Sequence, residues 1–262
     1  MERDDSAAAA AILAAYDRER REVDVPGFRR EQSGSAVLHF PLSGSEGLVS
    51  YSHHGDDEIE GAIRRVIGEF ERVRCAFEWK VHDHDSPPDL RGRLEAAGFR
   101  IEEAEALMIL PVAEAGALCE DWRHVRVDRV RDEAGIADFV AVALEVWPKR
   151  SWLDWIEREL RDHHEGLTAY VAYEGALPVA CARATFPAGG RFVGLWGGAT
   201  RRAHRGRGFY RALVAARARD AAERGFDHLC VDALPTSRPI LERAGFRRFS
   251  TTYPCRWTRQ GT

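Results

Sequence analysis

Arg205-Gly206-Arg207-Gly208-Phe209-Tyr210-Arg211-Ala212-Leu213 stands between two kinds of pattern. Before it, Phe192 to Thr200 reads as a strand, and after it Phe209 to Glu223 has the spacing of a helix. A glycine-rich turn that leaves a strand and opens a helix is an anion site. Glycine lets the backbone approach closely, the unpaired N–H groups of the first helical turn point outward, and the helix dipole favours negative charge. Arg205, Arg207 and Arg211 add positive charge to the same turn. A pyrophosphate is the natural guest.

Upstream, Leu167 to Glu174, Val179 to Phe186 and Phe192 to Thr200 read as three strands. They are joined by Glu174-Gly175 and Pro187-Ala188-Gly189-Gly190, turns that suit antiparallel neighbours. Earlier still, Ile136, Phe139, Val140, Ala143, Leu144 and Trp147 recur at helical spacing until Pro148. Ser151 and Asp154 form a capping box for a second helix with Trp152, Trp155, Ile156 and Leu160 on its apolar face. Downstream come a strand, His228 to Ala233, a short helix within Ser237 to Phe246, and an extended run, Thr251 to Trp257. Gly206-Arg207-Gly208 followed by a helix, a strand and Asp232 also imitates a dinucleotide fingerprint, but its third glycine falls at Arg211 and the upstream strands are joined by hairpins, not helices, which speaks against that reading.

This order of elements, from about Val125 to Thr262, resembles the GNAT superfamily, whose signature R/Q-x-x-G-x-G/A follows the fourth strand. Arg205 matches the first position and Gly208 the fourth, while Tyr210 stands where Gly or Ala is usual. Leu241-Glu242-Arg243-Ala244-Gly245-Phe246 is similar to the family's fourth helix and its terminal Gly-Phe. The resemblance implies acetyl-CoA as cosubstrate, its pyrophosphate on Arg205, Gly206, Arg207, Gly208, Phe209, Tyr210 and Arg211. Its pantetheine arm would pair along Gly198, Ala199 and Thr200, where Gly197-Gly198 also reads as a β-bulge. The acceptor implied is a primary amine on a small molecule or peptide.

Acyl transfer needs a group to take the amine's proton and one to stabilise the oxyanion. Asp232, ending the fifth strand, and Glu145, on the first helix, are the candidate bases; either can instead be a structural or solvated carboxylate. Many family members supply an acid from a Tyr in the fourth helix, and that position here is Leu241, which has no proton to give. Two readings therefore stand, an N-acetyltransferase and a non-catalytic acyl-CoA-binding module. Trp147, Trp152 and Trp155, with Lys149 and Arg150 between them, lie where the family borders its acceptor, and an aromatic stripe of this spacing also suits a core.

Leu94-Glu95-Ala96-Ala97-Gly98-Phe99-Arg100 matches Leu241 to Arg247 at six of seven positions, 147 residues earlier. Each copy follows a helix, Glu58 to Val73 or Phe209 to Glu223, and a strand, Ala76 to Val81 or His228 to Ala233. Each precedes another extended run, Ala106 to Val112 or Ser250 to Trp257. The expected organisation is two tandem GNAT-like α/β domains with mixed sheets, 1–115 and 123–262, linked near Glu114 to Arg123. The first is degenerate: Gly61 falls opposite Gly208, and Asp56, Asp57, Glu58 and Glu60 place four carboxylates where the second half has arginines. Such a turn repels a pyrophosphate.

A net charge of −4 gives no long-range field to gather nucleic acid or anionic lipid, so neither partner is expected. The five cysteines, at 75, 119, 181, 230 and 255, are scattered, odd in number and without a C-x-x-C pair; they suit a reducing cytoplasm and exclude a disulfide framework. Ala7 to Ala15 follows Glu2, Asp4 and Asp5 where a signal peptide carries positive charge, so it reads as a surface helix running toward Arg21. No apolar run approaches the roughly 20 residues of a membrane span. His53-His54, His82-Asp83-His84-Asp85 and His163-His164 invite a metal reading, but Ser86-Pro87-Pro88 and the lack of a nearby cysteine speak against it, and no metal is expected. The oligomeric state is left open.

Overall fold

A computed structural model of the chain describes residues 2–43, 46–147, 151–161 and 166–259. Along the chain run α1 (Glu2–Glu22), β1 (Phe28–Ser33), β2 (Ala36–Pro41), β3 (Glu46–Ser52), α2 (Ile59–Arg72), β4 (Ala76–His82), α3 (Leu90–Ala96), the short β5 (Arg100–Ile101) and β6 (Glu105–Pro111). Then follow α4 (Gly116–Asp121), β7 (Val127–Arg129), α5 (Glu133–Val146), α6 (Ser151–Arg161), β8 (Leu167–Glu174), β9 (Leu177–Thr185), β10 (Phe192–Thr200), α7 (Phe209–Glu223), β11 (His228–Ala233), α8 (Arg238–Glu242) and β12 (Arg247–Trp257). Among the described residues, no helix is long and apolar enough to cross a membrane.

These elements form two compact units. The first comprises Met1–Met108, Asp232–Arg238 and Arg248–Thr262; the second comprises Ile109–Val231 and Pro239–Arg247. Division by compactness thus differs from the halves 1–115 and 123–262, which describe a repeat in the sequence. The closing run of the chain counts with the first unit, where Thr252 to Trp257 of β12 lies antiparallel to His82 to Phe77 of β4.

Within the first unit β1, β2 and β3 are antiparallel neighbours, and α2 carries the chain over to β4, parallel to β3. Within the second, β7, β8, β9 and β10 are antiparallel neighbours, and α7 carries the chain over to β11, parallel to β10. The same supersecondary unit therefore occurs twice, β2-β3-α2-β4 and β9-β10-α7-β11. The matching heptapeptides close it in the same way. Gly98 and Gly245 both sit at φ 93, a left-handed conformation that favours glycine. Phe99 N–H donates to the Leu94 carbonyl at 3.1 Å, and Phe246 N–H to that of Leu241 at 3.0 Å. Both helices end in this motif, with Leu94 and Leu241 wholly buried, so one capping geometry accounts for the repeated Leu, Gly and Phe.

Two features depart from the sequence reading. Strands β1 to β3 and β7 escape it because β1 is a polar strand and every residue from Ala36 to Phe40 in β2 is buried, so neither alternates. The expected linker, Glu114 to Arg123, is instead largely the helix α4: Ala115 and Leu118 are buried, and Arg219 on α7 donates to the Cys119 carbonyl at 3.1 Å. The first core is aromatic, with Phe70 and Phe77 stacked 4.1 Å apart, and the second packs Phe139, Leu153 and Ile156 of α5 and α6 on Ala169, Val171 and Cys181. Each such large side chain contributes roughly 1.5–3 kcal/mol by leaving water.

Candidate functional site

Strand β10 leaves its neighbour part-way along. It pairs with β11 only from Phe192 to Gly194, opposite His228 to Cys230, and the remaining residues to Thr200 continue without that partner. On its other edge the register against β9 shifts between Trp196 and Ala199, around Gly197 at φ 57. The bulge turns the strand away and leaves Gly198 exposed. Gly198 is required here for space: a Cβ at this position would lie 2.5 Å from the ring of Tyr210. Tyr210, the departure from the family signature, thus packs against β10, and burial raises the pKa of its phenol while the Arg217 charge beneath opposes the rise.

After Thr200 the chain makes a 3₁₀ turn, Arg202–His204, and enters α7 at Gly208, whose φ is 89. The first internal bond of α7 runs from Ala212 N–H to the Gly208 carbonyl at 2.9 Å, so the N–H groups of the preceding turn are left to an external acceptor. A Cβ on Gly208 would run into the ring of Trp122, the residue that caps α4. The expected phosphate-binding residues are therefore together on one turn, but their arginines are not equivalent. Arg205 Nε donates to the Thr200 carbonyl at 3.1 Å, and Arg207 is paired with Glu174, which also holds His204 at 3.2 Å. Arg211 lies over the Trp122 ring, 4.8 Å from its centre. Trp122 went unread in the sequence because it stood in a stretch taken for a linker.

Residues 129–246 match the model of the acetyltransferase (GNAT) family. This segment belongs to that family. No match is found among curated proteins. Among solved structures, the chain is similar to a GCN5-related N-acetyltransferase from Kribbella flavida, with TM-score 0.67 and 17% identity over 97% of this chain and 96% of that one. A functionally unknown conserved protein from Staphylococcus epidermidis ATCC 12228 gives TM-score 0.64 at 12% identity, covering 90% and 94%. A tandem GNAT protein from the clavulanic acid biosynthesis pathway gives 0.58 at 12%, covering 92% and 86%. At these identities the likeness concerns the fold.

In the GNAT segment the two candidate bases are both held by cations. Asp232 accepts from Lys80 Nζ at 2.8 Å and from Thr252 Oγ1 at 3.3 Å. Burial pushes its carboxyl up, but Lys80 more than reverses this and holds it below the usual range. Such a group is a poor proton acceptor. Glu145, half exposed, pairs with Arg201 at 2.9 Å. Leu241 is fully buried in the closure of α8. Trp155 lies beneath the guanidinium of Arg183, 5.2 Å away, and Trp147 packs against the α5–α6 core. Pro148, Lys149, Arg150 and His163-His164 lie outside the described residues, as do the side chains of Ser151 and Trp152. His82 is buried, which lowers its pKa to about 4, while His84 binds Ser250 at 2.9 Å and Asp17 at 3.0 Å.

The counterpart in the first unit has the same frame with different contents. β3 pairs with β4 from Glu46 to Val49 and then continues to Ser52 without that partner, still paired with β2 on its other edge. Here Arg20 Nε donates to the Ser50 carbonyl at 2.8 Å, and Ser50 Oγ returns a bond to the Arg20 carbonyl at 2.9 Å. The indole of Trp79, wholly buried, donates to Ser52 Oγ at 3.1 Å. At the helix start, α2 begins at Ile59, so Gly61 lies within the helix and Glu58 takes the capping position, without a side-chain cap. The acidic turn is not unopposed: Arg93 binds Asp56 at 3.2 Å, Glu60 at 2.7 Å and Asp89 at 2.9 Å.

Proposed function

We propose that this protein is an N-acetyltransferase that transfers the acetyl group of acetyl-CoA to a primary amine on a small molecule or peptide. The observation that carries the reading is the combination, within the GNAT segment, of a splayed β10 with an exposed Gly198 and an arginine-bearing turn that opens α7 at Gly208. These residues suit the cosubstrate. Backbone N–H groups of Gly206 to Arg211 would hold the pyrophosphate, with Arg205 and Arg211 adding charge, and Gly198 to Thr200 would pair with the pantetheine amides. The amine nitrogen then attacks the thioester carbonyl, the C–N bond forms, the C–S bond breaks, and sulfur leaves as the thiolate. The amine's proton passes to water rather than to Asp232, which Lys80 holds as a carboxylate, or to Glu145, which is paired with Arg201.

In this proposal the sequence halves 1–115 and 123–262 descend from one GNAT-type unit, and the first has lost its site. Free, scattered thiols suit a cytoplasmic setting. A second reading, an acyl-CoA-binding module without turnover, draws on Leu241 in the acid position and on the paired states of Asp232 and Glu145. Release of free thiol from acetyl-CoA across a panel of primary amines separates the two. Amine-dependent thiol release supports the enzyme; stabilisation by acetyl-CoA with no amine-dependent release supports the module. In the enzyme reading Asp232→Asn lowers thermal stability while leaving kcat of the folded fraction within about threefold; a loss of roughly a hundredfold would make it the base.

A further inference from the structure

We propose that Arg183 receives a carboxylate carried by the acyl acceptor, so that the acceptor is an amino acid or a peptide with a free carboxyl end. The proposal rests on the acyltransferase reading above and names its substrate class. On β9, Cys181 faces the core beneath α5 and α6, and Arg183 is the next residue on that face, where the pattern calls for an apolar side chain. Its strand partner is Trp196, immediately before the bulge, and its Nε would be 3.6 Å from a Cβ on Gly197. The guanidinium therefore lies along the bulge itself, with the Trp155 ring of α6 on its other side at 5.2 Å.

No described acidic side chain pairs with it. Nε is out of water without a hydrogen-bond partner, and the residue as a whole is half-buried, so the open end of the fork is what a ligand can reach. Burial alone lowers its pKa to about 10, with no neighbouring charge to oppose the fall. A guanidinium held this way is costly unless an anion completes it, and its planar fork matches a carboxylate in two parallel bonds. Position separates this anion from those of the cosubstrate. The pyrophosphate turn lies past Thr200, the pantetheine arm would run along Gly198 to Thr200 toward the bulge, and Arg183 stands opposite Trp196, beyond the place the thioester reaches. What lies there is the acceptor.

The test uses the full chain and thiol release with matched amines: free amino acids against their amides, and short peptides with free against amidated ends. Phosphoethanolamine is included as the other anionic class. Wild type should prefer the free carboxyl member by about thirtyfold or more in kcat/KM. Arg183→Gln should reduce that preference to below about threefold with the KM for acetyl-CoA unchanged, and Arg183→Lys should fall between. Comparable rates for acid and amide, a preference for phosphoethanolamine, or a preference that survives Arg183→Gln would overturn the proposal. If no amine releases thiol, the acyltransferase reading fails separately. Calorimetric titration of N-acetyl amino acids against their amides then decides Arg183: binding of the acids alone, abolished by Arg183→Gln, upholds it, and equal or absent binding overturns it.

Discussion

The splayed strand is built twice, and the two copies differ in what meets the freed backbone. In the first unit β3 beyond Val49 is met by the chain itself: Arg20 takes the Ser50 carbonyl and the Trp79 indole donates to Ser52 Oγ. In the second unit the freed edge of β10 carries Gly197-Gly198, with Gly198 exposed, and the half-buried cation nearby, Arg183, has no carboxylate partner among the described residues. Charges in the first unit are answered internally, Arg20 by Asp85 and Asp17, Lys80 by Asp232, Arg93 by three acids. In the proposed reading, a strand edge that has left its partner and a cation without a described anion suit a ligand surface, and the same frame with its arginines and lysine answered suits a structural domain. The sequence located this difference in the acidic turn before α2, whereas the side chains of α1 and β4 enforce it.

Substitution at the helix start of the second unit should have the largest effect, because it combines a loss of stability with the loss of cosubstrate binding. Gly208→Ala forces a side chain into a left-handed residue and into the Trp122 ring, at a combined cost of about 2–4 kcal/mol. Thermal denaturation should show a marked fall in Tm and no stabilisation by acetyl-CoA, and adding Trp122→Ala should recover part of the Tm. An unchanged Tm would mean that Trp122 does not pack there.

Next in size is the plug of the first unit. Arg20 and Asp85 form a buried ion pair at 3.1 Å, their side chains 6% and 4% exposed. Arg20→Leu leaves Asp85 uncompensated and should cost about 3–5 kcal/mol in chemical denaturation. It should create no second cosubstrate site, because the turn before α2 still carries Asp56, Asp57 and Glu58 where the second unit has arginines. A cost below about 1 kcal/mol would show that the plug is incidental.

A smaller effect concerns pH. Burial raises Glu105 to about 7, with Lys80 opposing and Asp232 and Glu78 adding to the rise. The folded chain then holds this proton more tightly than the unfolded chain, where the group titrates near 4.5. Its contribution to stability is therefore lost as pH rises from about 4.5 to about 7. Glu105→Gln should remove this decline, so the variant gains on wild type by up to about 2–3 kcal/mol across the window. Parallel stability curves would contradict the assignment. His39 and His82, both lowered to about 4 by burial, act in the opposite sense, so the informative quantity is the difference between the two proteins.

Much of this frame was legible because local signals agreed. Phe209–Glu223, His228–Ala233, Leu167–Glu174 and Phe192–Thr200 lie where periodicity and turn residues put them, and the heptapeptide repeat reflects a shared cap. What escaped the sequence was set by packing over long separations. Strands β1 to β3 lack alternation, Trp122 reaches Gly208 from a stretch rich in charge, and Arg20 meets Ser50 across thirty positions. The anion turn was readable because its chemistry is local to nine residues. The pairing of Asp232 with Lys80 and of Glu145 with Arg201 was not, since no spacing announces a partner 152 residues away.

Titration calorimetry of the full chain with acetyl-CoA tests the contrast most directly. One molecule per chain should bind, and Gly208→Glu should abolish that binding. Two sites per chain, or binding that persists unchanged in Gly208→Glu, would contradict the account.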